Sequence, residues 1–207
     1  SLSLAPGSPA VIAHQGDDHD ADDTQPVLKQ ADAKKDEAKP AAPKGVLPGG
    51  PDGRPLNLDF ETGTLKDWAA EGDAFEDQPI KGEIDKNREF GEGKRSRLQG
   101  DYWIGGYEKH RDPRTGTLTS APFKVTHSFA AFRVGGGSSK ETRVELVLKN
   151  TQKPFFVVSG QNQEDMYPIV VDLRNQKGHE IFIRIVDQHT GGWGHVNFDD
   201  FRFYDSK

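Results

Sequence analysis

The chain has 207 residues, enough for one domain of ordinary size and a further segment. With 33% hydrophobic residues, 29% charged residues and a net charge of −6, it lacks the basic face that a phosphate backbone demands, which excludes nucleic acid as a partner. The absence of cysteine removes disulfides, thiolate zinc sites, iron–sulfur ligation and covalent haem attachment within the chain.

Residues 1–13, "SLSLAPGSPAVIA", read as the remnant of a secretory signal, with Val11 and Ala13 at the −3 and −1 positions of a cleavage site. That reading predicts an exported protein, periplasmic, cell-surface or extracellular; the alternative is an arbitrary boundary inside a linker. Residues 14–54 show no apolar periodicity. They run from the acidic "DDHDADD" (17–23) through "KQADAKKDEAKPAAPKG" (29–45), and are expected to be a disordered acidic and Ala/Lys/Pro-rich linker. The acidic run is read as a solvated tether, because no glycine shapes it into a calcium loop. Nowhere does the chain reach the roughly 18–20 apolar residues of a bilayer span, so no membrane insertion is expected.

From residue 55 to 207 the texture changes. "LNLDF" (56–60), "DYWIGGY" (101–107), "TLTSAPFKV" (117–125), "SFAAFRV" (128–134) and "TRVELVL" (142–148) are short and rich in β-branched or aromatic residues. "PFFVV" (154–158), "YPIVVDL" (167–173), "EIFIRIV" (180–186) and "HVNFDDFRFY" (195–204) continue the series. In "TRVELVL", Val144, Leu146 and Leu148 share one face and Arg143 and Glu145 the other; Ile181, Ile183 and Ile185 share a face in "EIFIRIV". No window sustains a helical stripe. This pattern predicts an all-β fold, an antiparallel two-sheet jelly-roll sandwich over 55–207.

Motifs for nucleotide chemistry fail. "GEGKRS" (91–96) has Arg88 where a phosphate loop needs its first glycine, and "VGGGSSK" (134–140) lacks the spacing. The three glycines of the latter mark a tight turn, or a place where a ligand or another backbone approaches closely. A cation site is a better candidate. "NLDFETG" brings Asp59 and Glu61 out of the first strand, and "NFDDF" brings Asp199 and Asp200 into the last. Val196 and Phe198 are out of phase with Phe201 and Phe203, so a bulge is expected at Asp199–Asp200. If first and last strands pair, these four carboxylates converge on a hard, oxygen-liganded ion such as Ca²⁺; the alternative is exposed or capping aspartates. His189 and His195, with Asp187, match no standard zinc spacing.

A ligand surface is the third candidate. Trp103, Tyr107, Trp193 and His195 lie in glycine-bracketed stretches that leave a ring face open, as sugar stacking requires. Arg133 and Arg143 are placed to donate paired hydrogen bonds to hydroxyls or carboxylates. The competing reading puts Trp103 and Trp68 in the core and Arg143 on an ordinary outward strand position. The basic stretch Arg88, Lys94, Arg95 and Arg97 would favour an anionic glycan if it lines the same face; a solvated loop is the alternative. No carboxylate pair stands out for glycosidase chemistry.

"LNLDFETGTLKDWAAEGDAF", "YWIGGYE", "GTLTSAPFKV", "FRVGGG", "TRVELV", "KGHEIFIRIVD" and "GGWGHVNFDDF" together resemble a galactose-binding-like β-sandwich domain. Such domains occur in exported bacterial proteins carrying a planctomycete-type cytochrome c domain, and a similar series accompanies family 32 glycoside hydrolases. The resemblance spans roughly 56–204. It implies a jelly roll of the kind classed with carbohydrate-binding modules, with a structural Ca²⁺ between first and last strands, here at Glu61 and at Asp199 or Asp200. Arg143, Trp193 and His195 match motifs of the family without an assigned contact. The haem of the cytochrome-linked proteins lies in a separate domain, and no haem is expected in this chain.

The expectation is therefore a noncatalytic, exported carbohydrate-binding sandwich with one structural Ca²⁺. Its partner would be a glycan or polysaccharide, met by Trp193, His195 and Arg143 with Trp103, Tyr107 and Arg133 nearby, and it would work beside other domains of a larger exported protein. The alternatives are a structural or protein-interaction sandwich of a cell-surface or cytochrome-associated assembly, and a jelly-roll glycoside hydrolase.

Overall fold

A computed structural model describes residues 45–206, except 88–92 and 94. The expected signal remnant, the linker up to residue 44, and Arg88 and Lys94 of the basic stretch lie outside the described residues.

Eleven strands, one short α-helix and a single 3-10 turn (Arg174–Gln176) make up the regular elements of the described part. They are β1 (Trp68–Gly72), β2 (Ile80–Lys81), β3 (Tyr102–Gly105), α1 (Gly106–His110), β4 (Gly116–Ser120), β5 (Phe123–Lys124) and β6 (Phe129–Gly136). Then follow β7 (Thr142–Leu148), β8 (Lys153–Val158), β9 (Gln163–Asp172), β10 (Glu180–Asp187) and β11 (Val196–Tyr204). The first sheet has the order β1-β4-β10-β7-β8, with β5 also pairing β10; the second has the order β2-β3-β11-β6-β9. All pairings are antiparallel. The all-β two-sheet sandwich expected from the strand texture is borne out.

Alternation places the core. Val144, Leu146, Ile181, Ile183 and Ile185 point inward from the first sheet and meet Ala130, Phe132, Val134 and Phe198 of the second. Each large apolar side chain so buried contributes on the order of 1.5–3 kcal/mol. Between Asp199 and Arg202 the register of β11 slips against β6, and Asp200 has φ +54°. This is the predicted bulge; the extra residue lets Phe201 and Phe203 face the core as Phe198 does. Phe132 stacks on Phe201 with ring centroids 5.7 Å apart.

Two expectations need correction. "LNLDF" is no ladder strand: Leu56, Leu58 and Phe60 are buried, but Phe60 turns the chain at φ +58°, and only isolated bonds such as Phe201 N–H to Leu58 O (3.1 Å) reach β11. The packed chain also begins before residue 55. Val46 and Phe203 exchange backbone hydrogen bonds of 2.9 and 2.8 Å, and Leu47 packs on the core.

The two outer faces differ. On the second sheet, residues 95–101 lie over the outer face. Ser96 O accepts from Met166 N–H (3.0 Å), Gln99 N–H donates to Asp199 Oδ2 (2.6 Å), and Arg97 Nε donates to Asp165 Oδ2 (2.9 Å). A small second cluster, Ile80, Ile84, Trp103 and Met166, fills this layer. On the first sheet, a cleft of about 400 Å³ opens on the outer face. Among the described residues no helix is long and apolar enough to cross a membrane.

Candidate functional site

The loop between β10 and β11 brings three of the expected ligand residues together. The His195 ring lies between Tyr107 and Trp193, with centroids 5.2 Å and 5.6 Å away. Trp193 is half-buried and holds φ +63°, the left-handed region that a bulky residue occupies only under constraint. The constraint is visible in the glycines that the sequence places opposite. Gly137 N–H donates to His195 O (2.9 Å), and a Cβ at Gly137 would collide with the Trp193 carbonyl oxygen. The triple glycine after β6 thus marks a close approach of backbone to backbone.

His195 is itself buried beside the two rings, which leaves it almost no surface for a ligand to touch. Its Nδ1 lies 2.7 Å from Asp112 Oδ1, and its Nε2 faces Glu164 Oε2 at 3.6 Å. Burial alone would pull the imidazole pKa down, but the Asp112 hydrogen bond and the Glu164 carboxylate outweigh it and hold the pKa at about 9. His195 is therefore an imidazolium at neutral pH. Asn197 Nδ2 donates to Glu164 Oε2 (3.1 Å), while Asp187 Oδ1 and Asn197 Oδ1 are buried without a hydrogen-bond partner. Burial pushes the Asp187 carboxyl up to about 7 against the opposing pull of His195. His189 turns away to Glu141 (Nδ1 to Oε2, 3.1 Å), so it does not join His195 and Asp187 in a metal site.

The remaining expected ligand residues scatter. Trp103 is fully buried in the second cluster, its Nε1–H donating to Gly82 O (2.8 Å), which leaves no ring face for a sugar. Trp68 is half-buried against the core, stacked on Phe60 at 5.1 Å. Arg133 sits on β6 opposite Asp199 and Pro168, on the second sheet. Arg143 belongs to the other sheet, where its Nε donates to Glu145 Oε1 (2.6 Å).

The four expected calcium ligands also divide. Arg202 engages two of them, Nη2 to Asp59 Oδ2 (2.8 Å) and Nε to Asp200 Oδ1 (2.5 Å), so a guanidinium already holds one oxygen of each. Glu61 accepts from the backbone N–H groups of Asp101 and Tyr102 (both 2.9 Å), and Asp199 Oδ2 from Gln99 N–H. Asp199 Oδ1 is buried with no partner. Burial, with the charges of Asp200 and Glu61, raises the Asp199 carboxyl to about 8, although the Gln99 hydrogen bond opposes the rise. Among the described residues, no three His, Asp or Glu side chains form a group that could hold a metal ion. Asp59 and Asp200 do not fit a cation site; Asp199 and Glu61 fit one in part, through one orphaned oxygen.

Sequence reasoning missed Asp112, Glu164 and Arg184, each of which meets a partner only through register or loop packing across 33 to 83 residues, and gave Glu145, on the face of Arg143 two residues away, no role.

No family model matches the chain. A protein of Aspergillus rugulosus named "Putative glycosyl hydrolase ecdE" is 28% identical over 211 residues, a match covering 100% of this chain and 28% of that protein. The chain thus spans little more than a quarter of that relative. Among solved structures, the carbohydrate-binding module TmCBM61, in complex with β-1,4-galactotriose, is similar at a TM-score of 0.42 and 17% identity, over 70% of this chain and 93% of that one. The K3 adhesin domain of Lys-gingipain from Porphyromonas gingivalis follows at 0.38 and 15%, over 70% and 94%. A family 35 carbohydrate-binding module from Clostridium thermocellum stands at 0.31 and 12%, over 64% and 95%.

Proposed function

We propose that this chain is a noncatalytic carbohydrate-binding domain of an exported carbohydrate-active protein, and that a sugar ring packs against Trp193 with Tyr107 beside it. The observation that carries the reading is Trp193 itself. A bulky residue is held in the left-handed region, between glycines, half-buried and with its ring set against the imidazole of His195. Strain of this kind persists where the surroundings over-determine it, and it clusters at ligand clamps. The glycosyl hydrolase name of the Aspergillus relative, of which this chain matches about a quarter, suits an accessory domain of such an enzyme. Asp112 and Glu164 are occupied around a buried His195, which supports a binding role over hydrolysis by this site.

A stacked sugar ring is worth on the order of 1 kcal/mol, so a single domain would bind weakly and gain by repetition or by tethering to other domains. A glycan array probed with the full chain and with Trp193→Ala tests the reading. Signals that vanish in the variant support it; no signal, or signals unchanged by the substitution, would overturn it.

The same proposal includes a structural Ca²⁺, now narrowed to Asp199 and Glu61 with main-chain carbonyls completing the shell. The orphaned, buried Oδ1 of Asp199 supports it, because such a carboxylate is either protonated or matched by a cation. Asp59 and Asp200 are left to Arg202.

A further inference from the structure

We propose a second ligand site, on the open outer face of the first sheet, that binds the carboxylate of a uronic-acid residue in a polysaccharide. It is separate from the Trp193 platform and stands or falls without it.

Register builds the site. Arg184 of β10 lies directly across from Glu145 of β7, and Val186 across from Arg143. On the other side of β10, Arg184 faces Thr119 and Val186 faces Thr117 of β4, with Glu71 of β1 next in that row. The outward face therefore carries two neighbouring rows of side chains. One runs Thr119, Arg184, Glu145; the other runs Glu71, Thr117, Val186, Arg143. All of these except Glu145 line the cleft, with Phe182 and Gln152 completing it.

Glu145 is the unusual member. It points outward from a strand, yet its side chain is only 4% exposed because two guanidiniums close over it. Arg143 Nε donates to Oε1 at 2.6 Å, and Arg184 Nε donates to Oε2 at 2.7 Å with Nη2 paired to the same oxygen at 2.6 Å. Arg143 Nη1 is fixed in turn on Lys140 O at 2.8 Å. A buried carboxylate needs such pairing to offset its desolvation, but one charge is enough for one arginine. The second guanidinium leaves a positive charge at the Arg143–Arg184 end of the cleft, with the carboxylate of Glu71 in the same lining toward β1.

What remains to be bound follows from which edges are used. The Nε groups are engaged by Glu145, and among the described residues Arg143 Nη2 and Arg184 Nη1 carry no hydrogen bond, on side chains 29% and 30% exposed. Two planar donors whose orientation is set beforehand match the two oxygens of a carboxylate, and little rotamer freedom remains to be lost on binding. Beside them Val186 and Phe182, both largely buried, line the cleft and add a small apolar area to its floor. Thr117 and then Glu71 continue along the Arg143 row, about 14 Å across three strand spacings. A uronate over Val186 would give its carboxylate to the arginines and its hydroxyls to Thr117 and Glu71. A neutral sugar leaves the surplus charge unanswered.

The test uses an oligogalacturonate, the same oligomer with its carboxyls methyl-esterified, and free monomeric galacturonate, each titrated into the full chain by calorimetry. The expected result is binding of the acid oligomer that weakens with salt, at least about tenfold weaker binding of the ester, and weaker binding of the monomer. Arg184→Gln should lower affinity at least about tenfold and Arg184→Lys several-fold, since lysine keeps the charge but loses the fork. Side-chain Nε–H signals of Arg143 and Arg184 in the unsubstituted protein should shift during the titration, a readout that no unfolded variant can confuse. No binding of the acid oligomer, equal binding of the ester, a monomer as good as the oligomer, or unmoved arginine signals would each overturn the proposal.

Discussion

His195 Nδ1 lies 2.7 Å from Asp112 Oδ1, joining the start of β11 to a loop 83 residues earlier in the chain. The pair holds the imidazolium beneath Trp193 and Tyr107, and it makes the fold sensitive to alkali. The folded pKa of His195 is raised to about 9 from 6.5. A base raised on folding stabilises fully below its unfolded pKa and loses that contribution as pH climbs through the folded value. The melting temperature should therefore fall between about pH 6.5 and 9, and His195→Gln should flatten that part of the profile. A melting temperature that rises over this window would contradict the assignment.

Asp187 acts in the same direction at lower pH. Its carboxyl is raised to about 7 from 3.8, chiefly by burial, so the folded state favours the neutral form. The cost of ionising it grows from about pH 4 and is complete above about pH 7. Asp187→Asn should thus gain stability relative to the unsubstituted chain as pH rises from 4 to 7. A difference in melting temperature that stays constant across that range would show the group to be unperturbed.

Removing a cation tests the other carboxylate cluster. A ligand that binds only the native state raises its stability, so Ca²⁺ should raise the melting temperature and a chelator should lower it. In Asp199→Asn both effects should disappear, while in Asp200→Asn, whose carboxylate serves Arg202, they should persist. A melting temperature indifferent to Ca²⁺ and chelator would remove the ion from the account.

The close approach of the triple glycine to the Trp193 loop predicts a contrast between two glycine-to-alanine changes. Gly137→Ala drives a methyl group into the Trp193 carbonyl and should cost about 1–3 kcal/mol, together with sugar binding at that end. Gly192→Ala meets nothing within 4 Å and should be nearly neutral. Thermal melts of both variants check this, and equal losses would refute the packing described.

The strands with β-branched or aromatic alternation, β6, β7, β10 and β11, were legible in the sequence because one buried face imposes period two. The bulge was legible because Phe198 and Phe201 break that period. β1, "WAAEG", was not: it is an edge strand with only its tryptophan half-buried, so no alternation is imposed on it. Trp103 was misread for a different reason. Its flanking glycines suggested an open ring, but the cover over it comes from Ile80, Ile84 and Met166, distant residues brought in by the fold. Alternation put Arg143 and Glu145 on one face, yet Arg184 joins them only through the β7–β10 register, across 39 residues. The Asp59 and Asp200 carboxylates were legible as charges, but Arg202 as their partner was overlooked.

The central claim, that Trp193 meets the sugar, is tested most directly by the three indole N–H signals of a single ¹H–¹⁵N spectrum. Trp68 donates to Asn57 O and Trp103 to Gly82 O, both at 2.8 Å and both away from the loop, so these two serve as internal standards. During titration with an oligosaccharide that the array identifies, the Trp193 signal should shift in a saturable way while those of Trp68 and Trp103 stay fixed. A bound oligosaccharide that leaves Trp193 unmoved would contradict the account.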